Sequence, residues 1–255
     1  MAALDCQEVC LDYVMAGRQL RALQDVTVTV GKREFVSLLG PSGCGKSTLL
    51  NVVAGFLKPT GGKVLIEGRE VSEPGSDRGV IFQDHALFPW MTARQNIAFG
   101  LNVAGIPKAE REKKVDELIE LVGLRGFDRL FPSQLSGGMR QRVAVSRALA
   151  TSPSILLMDE PFSAIDEQTR QGLREEFLRI WQKTAQTVLL VTHSIEESVI
   201  MSDRVVVMGT KPGRVICTVD IDLPRPRDET SAQFMHLRRH IGELLYRHKR
   251  DSQTR

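Results

Sequence analysis

The chain has 255 residues, of which 34 are Lys or Arg and 31 are Asp or Glu, so its formal net charge is only +3. So small a charge gives no support for a nucleic-acid-binding protein. A hydrophobic content of 42% with 25% charged residues is ordinary for a globular protein. The longest apolar runs, such as residues 188–191, fall far short of the ~20 residues that a membrane span needs. Asp5 and Glu8 interrupt any apolar stretch at the N-terminus, so we expect no signal peptide.

The first hundred residues predict short strands around one helix. Alternating and continuous apolar runs predict strands, and glycines mark the turns between them. In chain order we predict a half-exposed strand at 26–30, a buried strand at 35–39, a helix from about Lys46 to Ala54 that stops at Gly55, and strands at 64–66 and 80–82.

The remainder of the chain alternates helices with buried strands. Helical spacing of Val115, Leu118, Ile119 and Val122 predicts a helix at about 109–122, and helical segments continue to about 150. We then predict a strand at 155–158, a helix at 166–183, a strand at 188–191, a helix at 195–201, a strand at 204–208, a linker at 223–227 and a terminal helix with an apolar face of Phe234, Leu237, Ile241, Leu244 and Leu245. This order predicts an α/β fold with mostly parallel strands, interrupted by a helical insertion at 90–150.

Residues 40–47 carry the motif G-x-x-x-x-G-K-S directly after the strand at 35–39. A buried strand, a glycine-rich turn and the start of a helix are the context that a phosphate-binding loop requires. The glycines let successive N–H groups converge on a phosphate, and the helix N-terminus adds its positive dipole end. Lys46 is the expected contact of the β- and γ-phosphates, and the Ser47 hydroxyl is an expected Mg²⁺ ligand. The predicted nucleotide-binding residues of this segment are Gly40, Pro41, Ser42, Gly43, Cys44, Gly45, Lys46, Ser47 and Thr48.

The four cysteines show no C-x-x-C spacing, and Cys44 lies in the phosphate-binding loop, where a disulfide would obstruct the ligand. Both features predict reduced thiols and a cytosolic environment. The converging N–H groups of the loop also favour a thiolate at Cys44. We therefore expect alkylation of Cys44 to inhibit the protein, and ATP to protect it.

Asp159 and Glu160 directly follow the apolar strand at 155–158. In an open α/β sheet, ligands bind outside the carboxyl ends of the strands. Asp159 is therefore predicted to face the Mg²⁺ held by Ser47, and Glu160 to polarise a water for in-line attack on the γ-phosphate. The alternative is a buried strand capped by a polar turn, which the upstream phosphate-binding loop disfavours.

A second glycine-rich turn lies at 135–139 and precedes a predicted helix at 140–150. A Ser-Gly-Gly turn at the start of a helix can hold an anion. An ordinary N-cap followed by flexible glycines is the alternative, and the local sequence alone favours it. The residues concerned are Leu135, Ser136, Gly137, Gly138 and Met139.

Together these segments resemble the ATP-binding subunits of ABC transporters. Leu135–Arg142 resembles their signature motif, with Met139 where Gln is usual. Further motifs follow the family's order: Gln83 matches the Q-loop glutamine, Ser163–Asp166 looks like the D-loop, His193 matches the switch histidine, and Tyr13 is the candidate for the aromatic that stacks on adenine. The resemblance covers about residues 4–215.

The resemblance implies a P-loop NTPase core with a mostly parallel sheet, an N-terminal antiparallel β subdomain and an inserted α-helical subdomain. It implies an ABC ATPase domain at 1–220, with the helical subdomain at about 90–150, and a linker with a C-terminal amphipathic helix at 221–255. In such ATPases two copies face head to tail, and each ATP lies between the phosphate-binding loop of one copy and the signature motif of the other. The roles implied are catalysis for Glu160, His193 and Gln83, Mg²⁺ binding for Ser47, Gln83 and Asp159, γ-phosphate contact across the dimer for Ser136 and Gly138, and an interface contact for Asp166.

A narrower resemblance points to the nitrate, sulfonate and taurine importers, and it lies in the segments 77–83, 87–90, 96–101, 211–215 and 223–227. It implies a subunit that hydrolyses ATP to drive uptake of a small solute, such as taurine, another organosulfonate or nitrate. The implied partners are a second copy, transmembrane permease subunits at the cytoplasmic face of the bacterial inner membrane and, indirectly, a solute-binding protein, with no nucleic acid. An ATPase of an exporter or lipid-trafficking system, or a soluble ABC ATPase, are the alternatives. Phe88 and Trp90 are expected either near the groove for the permease or, with equal weight, in the core.

Overall fold

The computed structural model of the chain describes residues 2–15, 17–163, 167–210 and 212–253. The chain divides into two compact units. Unit 1 consists of Met1–Gly75 and Thr187–Arg255, and unit 2 consists of Ser76–Gln186. Within the described residues, no helix combines the length and the apolar character that crossing a bilayer requires.

The elements follow one another in the alternating order that the sequence predicts. The strands are β1 (Ala2–Met15), β2 (Arg18–Gly31), β3 (Phe35–Leu39), β4 (Gly61–Ile66), β5 (Arg69–Glu70), β6 (Arg78–Ile81), β7 (Ile155–Asp159), β8 (Val188–Thr192), β9 (Arg204–Gly209) and β10 (Arg214–Asp220). The helices are α1 (Lys46–Ala54), α2 (Ala93–Val103), α3 (Lys108–Leu121), α4 (Gly137–Ala150), α5 (Glu167–Thr184), α6 (Ile195–Met201) and α7 (Ala232–Gln253), with a short 3-10 turn at Pro132–Gln134.

Unit 1 contains two sets of strands. An antiparallel sheet has the order β2-β1-β4-β5, and β1 is its long central strand. The second set is parallel, with β3 between β8 and β9, and β10 adds an antiparallel edge to β9. Every residue of β3 and β8 is buried, which explains why these strands read as continuous apolar runs. Ser37, the one polar residue of β3, is satisfied by a hydrogen bond to Ser202.

Unit 2 combines the parallel pair β6 and β7 with helices α2 to α5. The predicted apolar face of α3 is buried as expected. Arg94 on α2 forms ion pairs with Glu112 and Asp116 on α3 and with Asp128 in the following loop. The carboxylates raise the pKa of Arg94, and the Arg94 guanidinium lowers the pKa of Asp128 although partial burial opposes this shift. This cluster therefore links α2 to α3 and to the loop at Asp128 on a partly solvated face.

The segment after β10 packs within unit 1. Arg227 donates hydrogen bonds to carbonyls at the end of α6, those of Val199, Ile200 and Ser202, and Arg225 donates to Met201. Phe234 and Ile241 of α7 are fully buried, in agreement with the predicted apolar face. The boundary at 220/221 between an ATPase domain and a linker stays a prediction, as does that of a helical subdomain at about 90–150.

The predicted fold class, an α/β P-loop NTPase with an N-terminal antiparallel sheet, is confirmed. Three strands that the sequence did not predict are β1, β5 and β10. β5 has only two residues, both exposed, so it carries no apolar pattern. The pairing of β1 shifts register between Cys6 and Val9, again before Leu11 and again before Asp12, so its side chains do not alternate regularly. β10 is an edge strand of half-buried and exposed residues, in which polar residues flank the short apolar run 215–217.

Candidate nucleotide site

The segment between β3 and α1 folds as a phosphate-binding loop. Gly43 and Gly45 have φ of 78° and 90°, a region in which residues with a side chain are strained. Gly45 is also the N-cap of α1, so no side chain covers the first N–H groups of this helix. A Cβ on Gly40 would lie 2.7 Å from both the Cys44 sulfur and the Met208 carbonyl oxygen. The loop therefore requires these glycines, and it leaves backbone donors at the positive end of α1.

Lys46 lies inside the loop and is only 4% exposed. Its Nζ donates to the carbonyl oxygens of Gly40 at 2.8 Å and Pro41 at 3.1 Å. These contacts hold the ammonium group against the strand-to-loop junction. A phosphate bound by the loop would therefore meet a preoriented cation.

Two other segments of unit 1 border the loop. The Tyr13 hydroxyl lies 3.5 Å from that of Thr48, which places the predicted adenine-stacking residue beside α1. Gly213, which follows β9, exchanges backbone hydrogen bonds with Ala22 and Gln24 of β2. A Cβ on Gly213 would lie 2.3 Å from the Cys44 carbonyl oxygen. Gly213 thus packs directly against the loop backbone at Cys44 and supports it. The sequence did not reveal this role.

His193 lies at the same edge of the parallel strands as the loop. Thr192, the last residue of β8, pairs with Leu39, the last residue of β3. The next residue on β3 is Gly40 and the next on β8 is His193, whose side chain is exposed. The register therefore sets the predicted switch histidine next to the start of the phosphate-binding loop.

Unit 2 places Gln83, Asp159 and Glu160 together at one end of its strand pair. Ile81 of β6 pairs with Met158 of β7, so Asp159, the last residue of β7, lies with Gln83 and Glu160 at the carboxyl ends of neighbouring strands. Glu160 has φ of 44°, and Ser163 closes the turn by donating to its carbonyl oxygen. Such a strained residue costs about 1–3 kcal/mol and is typical of functional sites.

The signature segment forms the start of α4. Ser136 is the N-cap, and its Oγ accepts from the Met139 N–H at 3.2 Å, while Leu135 is buried. The N-cap alternative is therefore correct for the local structure. An open groove of about 820 Å³ lies beside the motif, and the ion pair of Arg142 with Glu176 is part of its lining. Because Ser136 itself is exposed, capping the helix does not prevent contact with a ligand or a second chain.

Helix α4 also holds the segment that follows Gln83. Arg147 donates to the carbonyl oxygens of His85 and Ala86, two residues with positive φ, and its guanidinium lies 5.5 Å from the centre of the Phe88 ring. Phe88 packs on Phe99, with ring centres 4.6 Å apart, whereas Trp90 is 70% exposed. Phe88 is thus half-buried against its neighbours, and core packing is wrong for Trp90.

The predicted thiolate at Cys44 is contradicted. Its side chain is 1% exposed, and burial raises the pKa of the thiol even though Lys46 opposes this shift. Desolvation disfavours the charged form more than the neighbouring ammonium and N–H groups favour it. Burial therefore favours the neutral thiol of Cys44 over the thiolate.

The predicted metal ligands suit Mg²⁺ by their chemistry. Ser47, Gln83 and Asp159 offer a hydroxyl, an amide and a carboxylate oxygen, and Mg²⁺ binds through one or two carboxylates together with substrate phosphates. In the part of the chain that the structure describes, no three His, Cys, Asp or Glu side chains form a metal-binding group. Asp166, the predicted interface residue, lies outside the described residues.

Comparison with known proteins decides the family. A family model described as ABC transporter matches residues 23–163. The chain belongs to the ABC transporter family. It is 52% identical to an uncharacterized ABC transporter ATP-binding protein of Methanocaldococcus jannaschii, over 90% of this chain and 86% of that protein. It is 48% identical to the taurine import ATP-binding protein TauB of Rhizobium johnstonii, over 90% and 91% of the two chains.

The fold of this ABC ATPase is also that of a solved relative. The dimeric structure of a post-hydrolysis state of an ATP-binding cassette, bound to ADP and phosphate, has a TM-score of 0.74 at 32% identity, over 87% of this chain and all of that one. ATP is therefore the nucleotide that the phosphate-binding loop binds, and the predicted ATPase activity is confirmed. The dimeric form of the relative supports the predicted dimer in general terms.

Proposed function

We propose that this ABC ATPase powers the import of a small organosulfonate such as taurine. The observation that carries the assignment is the 48% identity to a taurine import protein over nearly the whole of both chains. The importer-like segments at 77–83, 87–90 and 96–101 support it. No specific observation favours an exporter or a soluble ABC ATPase.

Two copies act together, each completing the other's site. The signature residues Ser136 and Gly138 of one copy meet the γ-phosphate bound by Lys46 of the second. The exposed N-terminus of α4 supports this role because a helix N-terminus stabilises negative charge. Its N–H dipoles supply part of the charge stabilisation that an arginine supplies in other NTPases. Asp166 is assigned to the interface between the copies from the family resemblance alone.

Binding and hydrolysis divide among a few residues. On ATP binding, Lys46 exchanges the carbonyl oxygens of its loop for β- and γ-phosphate oxygens, and Tyr13 stacks on adenine. Ser47, Gln83 and Asp159 hold Mg²⁺, which neutralises developing phosphate charge. Glu160 accepts the proton of the attacking water, and His193 contacts the γ-phosphate and keeps the closed geometry.

The exposed Trp90 is part of the surface that docks on the permease. Phe88 anchors this segment in unit 2 through Phe99 and Arg147, and Trp90 lies two residues beyond the anchor with most of its surface exposed. We place the protein at the cytoplasmic face of the bacterial inner membrane, where it binds permease subunits. A solute-binding protein delivers the substrate to that complex, and nucleic acid takes no part.

Substitution Glu160→Gln tests the catalytic assignment. The amide cannot accept the proton of the water, so we expect MgATP binding to persist while ATP turnover falls by about 10²- to 10⁴-fold. Glu117→Gln, an exposed position on α3, is the matched control and should turn over normally. Wild-type turnover in Glu160→Gln would remove this residue from the base role.

The solute is tested in the source organism. A strain that lacks this chain should fail to grow with taurine as its only sulfur source and should grow normally on sulfate. The wild-type gene should restore growth on taurine, and a Glu160→Gln copy should not. Normal growth of the deleted strain on taurine, with no uptake defect, would contradict the proposed solute.

A further inference from the structure

The residues on both sides of His193 form a closed ring of hydrogen bonds. The N–H of Ser194 donates to Thr192 Oγ1 at 3.0 Å. The Thr192 hydroxyl donates in turn to Glu197 Oε2 at 2.6 Å. The N–H of Glu197 donates to Ser194 Oγ at 3.2 Å, which caps α6. The ring therefore encloses the short backbone segment that carries His193.

This ring differs from an ordinary capping box. Ser194 and Glu197 have the S-x-x-E spacing, in which the glutamate carboxylate accepts directly from the N–H of the N-cap residue. Here the Thr192 hydroxyl is inserted between them. Because a hydroxyl has one proton, which goes to Glu197, its oxygen accepts the Ser194 N–H. The insertion links the end of β8 to the start of α6, and His193 lies between the two.

Burial shows that the ring is a fixed support. Thr192 is 1% exposed and Glu197 is 5% exposed, whereas the His193 side chain between them is exposed. A charged carboxylate is costly to bury unless hydrogen bonds compensate it. Glu197 accepts one such hydrogen bond from the Thr192 hydroxyl. The backbone at His193 is thus fixed on both sides while its imidazole stays accessible.

We propose that Thr192 and Glu197 are positioning residues for His193, and that they set the imidazole for its contact with the γ-phosphate. The inference rests on the proposed role of His193. Thr192 also pairs with Leu39 at the start of the phosphate-binding loop. The same hydroxyl therefore belongs to the strand that aligns His193 with the loop and to the ring that orients it.

Steady-state kinetics of matched variants test the proposal. Thr192→Val removes the hydroxyl without changing the shape of the side chain, and we expect kcat to fall about 10- to 100-fold with little change in KM for MgATP. Thr192→Ser keeps the hydroxyl and should retain most of the activity. Glu197→Gln keeps an acceptor for Thr192 and should be less impaired than Glu197→Ala.

Thr187→Val is the control for a loss of stability alone. Thr187 lies just before β8, is buried, and accepts the Arg33 N–H at 3.0 Å, so it makes the same kind of bond at the other end of the strand. We expect its melting temperature to fall about as much as that of Thr192→Val, with kcat unchanged. Equal melting temperatures and equal kcat in the two Val variants would overturn the proposal.

A His193→Ala background separates this inference from the function on which it rests. If Thr192 acts through His193, then Thr192→Val adds no further loss of kcat once His193 is removed. Losses that multiply in the double variant would overturn the positioning role. Full activity of His193→Ala alone would instead refute the proposed role of His193, and the positioning role with it. An inactive His193→Ala beside a fully active Thr192→Val would refute the positioning role only.

Discussion

Gly213 offers a sharp test of how the phosphate-binding loop is supported. Its N–H donates to the Ala22 carbonyl at 3.0 Å, and its carbonyl accepts from the Gln24 N–H at 2.9 Å. A Cβ added by Gly213→Ala would lie 2.3 Å from the Cys44 carbonyl oxygen and 2.8 Å from that of Ala22. Because these neighbours are backbone atoms, they cannot rotate away as a flexible side chain would.

The clash in Gly213→Ala can relax in two ways: the backbone around residue 213 can shift, which lowers stability, or Cys44 can shift, which distorts the loop. Overpacking costs about 1–3 kcal/mol, and breaking the two backbone bonds of Gly213 adds about 1 kcal/mol each. We therefore expect the free energy of unfolding to fall by about 3–5 kcal/mol. If Cys44 moves instead, the loop's N–H groups lose their alignment and the affinity for MgATP falls.

Urea unfolding and a titration with MgATP measure the two effects. Gly172→Ala is the matched control, because this helical glycine of α5 has nothing within 4 Å of an added Cβ. We expect Gly172→Ala to gain up to about 1 kcal/mol from helix propensity and to bind MgATP normally. A Gly213→Ala variant with the stability and the MgATP affinity of the parent would refute the supporting role of Gly213.

Two further predictions concern Cys44 and Arg227. Because burial raises the pKa of the Cys44 thiol, we expect iodoacetamide to label it slowly at pH 8 with or without ATP, as read by peptide mass spectrometry; fast labelling that ATP prevents would contradict this. Burial also lowers the pKa of Arg227 to about 10, and its guanidinium donates hydrogen bonds to several carbonyls at the end of α6. Because a lysine ammonium cannot make all of these bonds, Arg227→Lys should lower the free energy of unfolding by about 1–3 kcal/mol. The same variant should exchange the amide protons of α6 faster than the parent. Arg214→Lys, at an exposed position of β10, is the control, and equal amide exchange of α6 in the two variants would contradict the role of Arg227 in holding the end of this helix.

The elements that the sequence predicted well depend on local chemistry. Helix α1 ends where the sequence predicts because Gly55 adopts the left-handed C-cap with φ of 81°. The strands β3, β7 and β8 are buried on both faces, so their apolar runs are unambiguous. The loop glycines were predictable for the same reason, since the motif itself demands their backbone conformation.

The contacts that were missed depend on chain segments far apart in sequence. Nothing near Gly213 in the sequence indicates that its Cα faces the Cys44 carbonyl. This contact exists only because the fold brings the two segments together. The prediction of a thiolate at Cys44 failed for a similar reason. It considered the nearby N–H groups, which the sequence indicates, but not the burial of the side chain, which raises the pKa of the thiol. Glu197 carried a local signal, the S-x-x-E pattern, but its bond to Thr192 needs the turn between β8 and α6.

The central claim is that the phosphate-binding loop is half of a site that a second copy completes. Sedimentation of Glu160→Gln tests it: without nucleotide we expect the 28.4 kDa monomer, and with MgATP about twice that mass. Adding Gly138→Asp to this variant should abolish the dimer but leave ATP binding intact. A carboxylate in the first turn of α4 is compatible with the positive end of the helix dipole, so the helix should still form. The same carboxylate would repel the triphosphate bound by the other copy. A Glu160→Gln chain that binds MgATP and stays at 28.4 kDa, or a dimer that Gly138→Asp leaves intact, would contradict the account.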